Sequence, residues 1–104
     1  MLDTYETGNI TVPSGITGNS TVLGKIGKIV CGQVIITSSS SVTQYGKLCT
    51  LPWKFVAMPL VMIFHGDTFE YQGVAYYENQ NLYVGKSSGI ASGKHRLSIF
   101  GIVE

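Results

Sequence analysis

The stretch LPWKFVAMPLVMIFHGD, Leu51 to Asp67, holds the single Trp of the chain, two of its three Pro and both Met beyond Met1. Leu60, Val61, Met62, Ile63 and Phe64 are apolar without a break, and His65-Gly66-Asp67 ends the run at once. A short apolar run closed by turn residues is the pattern of a β-strand covered on both faces. Pro52 and Pro59 have no N–H to give to a ladder, so each marks a strand start or an edge. The segment therefore reads as a turn, an aromatic anchor around Trp53 and Phe55, and a core strand. A functional alternative puts Trp53 and His65 in the lining of a binding site.

The flanking segments extend the same reading. Lys25–Thr37, KIGKIVCGQVIIT, is rich in β-branched residues and reads as one strand bulged at a Gly. The four serines Ser38–Ser41 form a hairpin tip or flexible loop, and Val42–Thr50 returns as a second, neighbouring strand. Phe69–Glu78 is a further strand, with Phe69, Tyr71 and Gly73 on one face and Glu70, Gln72 and Val74 on the other. Asn79-Gln80-Asn81 is a turn, because Asn tolerates positive φ. Leu82-Tyr83-Val84 is a short strand and Ser87–Gly93 a small-residue loop. In the last strand Leu97, Ile99, Gly101 and Val103 alternate with Ser98, Phe100 and Ile102, so both faces are apolar. Residues 1–20 are dense in turn formers and read as an arm or a linker to a longer parent chain, with Ile10-Thr11-Val12 as a short strand. Residues 21–104 form the folded domain. No window repeats apolar residues at helical spacing. Short strands separated by Gly-rich turns predict an all-β fold, an antiparallel β-sandwich of jelly-roll type or a small barrel.

A chain of 104 residues makes one domain with one modest core. Only 12% of its residues are charged, about half the usual share. Its surface must therefore be covered by Ser, Thr, Asn, Gly and Tyr, or by another subunit. A sandwich needs one wet face per sheet, and strands apolar on both sides point to a homo-oligomer. The seven Lys and Arg are scattered and form no basic stripe, which argues against nucleic acid as a partner. No apolar run is long enough to cross a bilayer. Asp3 and Glu6 stand where a secretion leader would carry basic residues, so none is expected. Cys31 and Cys49 lack the spacing of a zinc site. The reading is two buried thiols, with a cross-strand disulfide as the alternative.

Catalysis finds little material. Asp67 and Glu70 flank one turn, but two acids near a turn are common, and His65 and His95 have no nucleophile in a recognisable setting. No enzyme activity, cofactor or metal is expected. Binding finds more: 6 Tyr, 4 Phe and 1 Trp, with Tyr71, Tyr76, Tyr77 and Tyr83 crowded around the Asn79 turn. A rigid ring with a polar tip suits recognition. A sugar offers apolar C–H faces and a rim of hydroxyls, which aromatic, acidic, amide and imidazole groups can meet. The candidate ligand residues are His65, Asp67, Glu70, Tyr76, Tyr77, Asn79, Asn81 and His95.

Three stretches carry a family resemblance. KIGKIVCGQV (Lys25–Val34) is similar to an early Gly-x-x-Val strand with a later Gly. GKLCTLP (Gly46–Pro52), followed by Phe55 and Pro59, is similar to a Gly…Leu-Pro…aromatic…Pro segment. NLYV (Asn81–Val84), a loop and LSIFG (Leu97–Gly101) are similar to a closing strand pair. Together they span most of residues 24–104. In these the chain resembles the C-terminal head domain of phage tail-fibre and baseplate receptor-binding proteins. It departs from that pattern at Trp53-Lys54-Phe55, where a Gly and an Arg usually stand near the aromatic. The resemblance implies a homotrimer at the phage tail tip in the virion, made in the host cytoplasm, binding a host cell-surface saccharide beside other tail or baseplate proteins. A purely structural trimerisation domain and a small free-standing lectin are the alternative expectations.

Overall fold

The structure, a computed structural model, describes residues 5–104, apart from the Ser20 side chain. Nine strands form: β1 (Tyr5–Asn9), β2 (Ile16–Ser20), β3 (Val22–Ile26), β4 (Ile29–Ser38), β5 (Lys47–Thr50), β6 (Leu60–His65), β7 (Tyr71–Glu78), β8 (Asn81–Val84) and β9 (Gly93–Ile102). No helix forms among the described residues. All pairings are antiparallel. The strand order is β1-β3-β4-β9-β6-β7-β8-β5, with β2 also on β4. The sheet curls so that its two ends approach one another. Thr11, just beyond β1, and Thr50 in β5 exchange both backbone hydrogen bonds, at 3.0 and 2.8 Å. The all-β, sandwich-like architecture is thus one curled sheet folded over a single core.

Period-two alternation explains which side chains fill that core. β9 lies between β4 and β6, paired from Ile29–Ile102 to Ser38–Gly93 on one side and from Leu60–Phe100 to His65–His95 on the other. Val30, Val34 and Ile36 of β4, Val61 and Ile63 of β6, and Leu97 and Ile99 of β9 all point inward and are buried. Leu48, Leu51, Leu82 and Val84 close over them from the other wall. Each such side chain contributes roughly 1.5–3 kcal/mol of apolar burial.

The Leu51–Pro59 segment ties the two walls together. Phe55 is buried, bridges to Val103 and donates its amide to the Tyr77 hydroxyl at 3.1 Å. Its ring meets Tyr77 edge-on, with centroids 5.5 Å apart. Gly101 makes room for it: a Cβ there would sit 2.8 Å from the Phe55 ring and from Pro59. Trp53 packs against the core and lies under the Lys25 ammonium at 5.6 Å, so it belongs to the closure rather than to an open site.

Several expectations change. Lys25–Thr37 is not one bulged strand but a hairpin, β3 to β4, turning at Gly27-Lys28. The stretch expected as an arm supplies β1 and β2, and places Ile10 and Ile16 in the core; residues 1–4 of it lie outside the described residues. Val42–Thr50 yields only β5, which pairs with β8 and not with β4. Cys31 and Cys49 are therefore on different walls. Cys49 is buried, with its thiol pKa pushed up to about 12 by desolvation, whereas Cys31 is exposed, against the expectation of two buried thiols. Phe69 lies in the preceding turn at φ 61°. A bulge sets both Tyr71 and Gly73 against consecutive residues of β6 and breaks the expected alternation. Gly73 takes the positive φ of 111° that the bulge requires.

The core strand is also less covered than expected. Val61 and Ile63 are buried and Met62 and Phe64 half-buried, but Leu60 is 54% exposed, because the described residues leave its end of the outer face of β6 open. The energetic asymmetry is testable by urea denaturation. Ile63→Ala is expected to lower the unfolding free energy by about 2–5 kcal/mol, as large-to-small core changes do. Met62→Ala, on the other side of the same strand, is expected to cost clearly less.

Candidate functional site

The exposed aromatic surface is built by the β7–β8 hairpin and the loop before β5. The hairpin turns through Asn79 and Gln80, at φ 50° and 68°, the pair of positive values of a type I′ turn. Asn was expected to tolerate this; Gln80 is held there by two bonds. Leu51 N–H donates to the Gln80 carbonyl at 2.7 Å, and Gln80 Nε2 donates to the Leu51 carbonyl at 3.1 Å. With the turn fixed, Tyr76 is paired with Tyr83 and both face outward, while Ala75, Leu82 and Val84 face the core.

Tyr45 joins them from the loop. Its φ of 65° is uncommon for a residue with a Cβ, and its N–H is anchored to the Val84 carbonyl at 2.8 Å. The Tyr45 and Tyr76 rings are 6.1 Å apart and inclined at 75°; Tyr76 and Tyr83 are 6.2 Å apart and inclined at 43°. Tyr76 donates its hydroxyl to Glu78 Oε2 at 3.1 Å, and that bond to a carboxylate raises its pKa above the ordinary phenol value. Tyr45, Tyr76, Tyr83 and Glu78 together line a hollow of about 450 Å³. Tyr45 is 64% exposed and Tyr76 36%.

The eight residues expected to bind ligand fall into two groups at opposite ends of β7. At its start, His65 Nδ1 accepts the amide N–H groups of Asp67 and Thr68, at 3.1 and 3.2 Å, and so shapes the β6–β7 turn. Asp67 lies 3.7 Å from Lys94, and the exposed Glu70 accepts the His65 amide at its carbonyl. His95 is buried among them, its ring 6.5 Å from that of His65. At the other end Tyr76 belongs to the tyrosine hollow. Tyr77 turns inward onto Phe55, and Asn81 accepts the Thr50 hydroxyl at 2.6 Å. Asn79 borders a separate hollow with Lys54 and Gln80. No group of three or more potential metal ligands is found among the described residues. Tyr45, Tyr83 and Glu78 lie outside the set of residues expected from the sequence to bind ligand. For Tyr45 the available signal was an aromatic alone in a loop of Ser, Thr and Gln; its meeting with Tyr76 depends on the fold.

A second surface lies on the outer face of β4, β9 and β6. Ile29 stands beside Ile102, and Cys31, Phe100 and Leu60 form the next row. Ile29, Ile102, Phe100 and Leu60 are each more than half exposed, as are Val56 and Met58 alongside. Two apolar hollows mark this face, about 280 Å³ around Leu60 and Phe100 and about 230 Å³ around Ile29 and Cys31. Contiguous apolar surface of this kind is uncommon on a monomer.

His95 gives the first group a pH dependence. One ring nitrogen is 2.7 Å from Gln72 Oε1, a side chain re-aimed by the β7 bulge, and the other is 2.8 Å from the Ala91 carbonyl. Burial lowers its pKa below the ordinary imidazole value; the Ala91 bond opposes this, and His65 adds to it. The unfolded chain takes up a proton near pH 6.5, which the folded chain resists. The stability carried by the neutral ring is thus complete above that pH and is lost as pH falls through the lowered native value. The urea midpoint is expected to drop below pH 6.5, and His95→Gln to flatten that drop. An equal drop in the variant would assign it to other groups.

No protein-family model matches the chain, and no curated protein and no solved structure is significantly similar to it.

Proposed function

We propose that the chain is a non-enzymatic binding module of a phage tail tip, which assembles as a homotrimer and engages a host cell-surface saccharide. The observation that carries this reading is the cluster of Tyr45, Tyr76 and Tyr83 with Glu78, in which Tyr45 and Tyr76 are exposed and Tyr83 is half-buried beside them. Exposed rings with polar tips offer area at little entropic cost. The resemblance of the Lys25–Val34, Gly46–Pro59 and Asn81–Gly101 segments to tail-fibre head domains supplies the tail-tip setting. The apolar outer face of β4, β9 and β6 supports self-association, because a second copy would remove Leu60, Phe100 and Ile102 from water. Three weak sites carried together gain avidity without any new contact.

That same apolar face favours a second reading, a structural trimerisation domain without a ligand. Two measurements separate them. Light scattering after size exclusion is expected to give a mass near three chains, with Phe100→Glu reduced to one chain at unchanged circular dichroism. Glycan capture is expected from the native protein and is expected to fall at least tenfold in Tyr76→Ala. A trimer that captures no glycan would leave the structural role, and a monomer that captures glycan would be a free-standing lectin.

A further inference from the structure

We infer that the hollow between Tyr45, Tyr76 and Tyr83 is a cage for a quaternary ammonium group, with Glu78 as its counter-charge. The inference rests on the proposed reading of this face as a ligand surface and narrows the ligand class. A neutral sugar stacks by laying a flat C–H face on a ring. Neighbouring rings here are inclined at 75° and 43°, so a sugar can stack on one ring but not on two at once. Inclined rings suit a different guest. Aromatic faces carry negative potential, and the corner between Tyr45 and Tyr76, with centroids 6.1 Å apart, lets one cation lie within about 6 Å of both centroids.

The charge in the hollow agrees with this. Glu78 is the one carboxylate among the described residues that line it, and it accepts the Tyr76 hydroxyl. A primary ammonium is strongly hydrated and gives up bonds to water when it lies against the ring faces. A methylated ammonium has no N–H to satisfy and presents apolar methyl groups to the rings. The cations of the described chain lie elsewhere. Lys25 sits over Trp53, and Arg96 sits over Phe69 at 4.6 Å. Lys47 stands across the strands from Tyr83 but lines a second hollow with Ser41 and Thr43, and no Lys or Arg is among the described residues that line the tyrosine hollow. Tyr45 reaches the corner only through a positive φ clamped to Val84. The ligand class is therefore a choline-type substituent, carried on a surface glycan in the proposed setting.

The test is an NMR titration of the full chain, following the tyrosine ring signals with choline and with its neutral isostere 3,3-dimethyl-1-butanol. Choline is expected to shift the Tyr45, Tyr76 and Tyr83 signals and to bind at least tenfold more tightly than the isostere. Tyr76→Leu is expected to abolish the response, and Glu78→Gln to weaken it severalfold with the fold intact. Equal binding of the isostere, or an undiminished response in Tyr76→Leu, would overturn the cage. Tyr76-dependent capture of unsubstituted glycan without any choline response would also overturn it, while the saccharide reading stands. Choline binding without capture of unsubstituted glycan supports the cage and removes only the neutral-sugar form of that reading. A phosphocholine-bearing carrier protein and phosphatidylcholine vesicles, offered side by side, distinguish a glycan-borne group from a lipid-borne one. Retention of either in a Tyr76-dependent way supports the cage.

Discussion

The two ladders of β9 are the constraint on which the rest of the molecule depends. β9 pairs along its length with β4 and over six residues with β6, from Leu60 to His65. This registration places Leu97 and Ile99 beside Val34, Val61 and Ile63 on the inner face. It also fixes the outer face. Ile102, Phe100, Ser98 and Arg96 must then stand beside Ile29, Cys31, Gln33 and Ile35. A slip by one residue would exchange the two faces. Here both faces are apolar over much of their length, so the preference for one register rests on more than burial. The buried His95, with its ring nitrogens 2.7 Å from Gln72 Oε1 and 2.8 Å from the Ala91 carbonyl, adds polar contacts to the observed register.

From that frame the two unusual surfaces follow. The outer face of β4, β9 and β6 is apolar at the end formed by Ile29, Ile102, Phe100 and Leu60 and polar at Gln33, Ser98 and Arg96, and the described residues of a single chain leave the apolar end exposed. The tyrosine hollow lies on the other wall, where a tight hairpin aligns Tyr76 with Tyr83 and a clamped loop adds Tyr45. The β7 bulge turns Gln72 inward onto His95 while Tyr71 and Val74 remain on the exposed side. The hairpin rests on Leu51 through Gln80, and Leu51 leads into the Trp53–Phe55 anchor that joins the walls. The segment that organises the core thus also positions the exposed aromatic surface.

The chain itself determined the fold class and most of the inward-facing residues. Period-two alternation in Leu97–Val103, β-branched residues in Ile29–Thr37 and an Asn-led turn at 79–80 are local properties, set by backbone sterics and burial. They are readable wherever they occur. The tyrosine-rich hairpin was legible for the same reason. Partner choice was not. Lys25–Thr37 reads as one strand because a two-residue turn at Gly27-Lys28 and a bulge look alike in sequence. Cys31 and Cys49 read as lying on adjacent strands because sequential segments usually pair; the curl instead sends β5 to β8. Tertiary structure alone decided that Tyr45 meets Tyr76, that His95 is buried while Glu70 is not, and that the expected site residues separate to the two ends of β7. Those outcomes depend on long-range pairing across the sheet, which no local pattern of residues encodes.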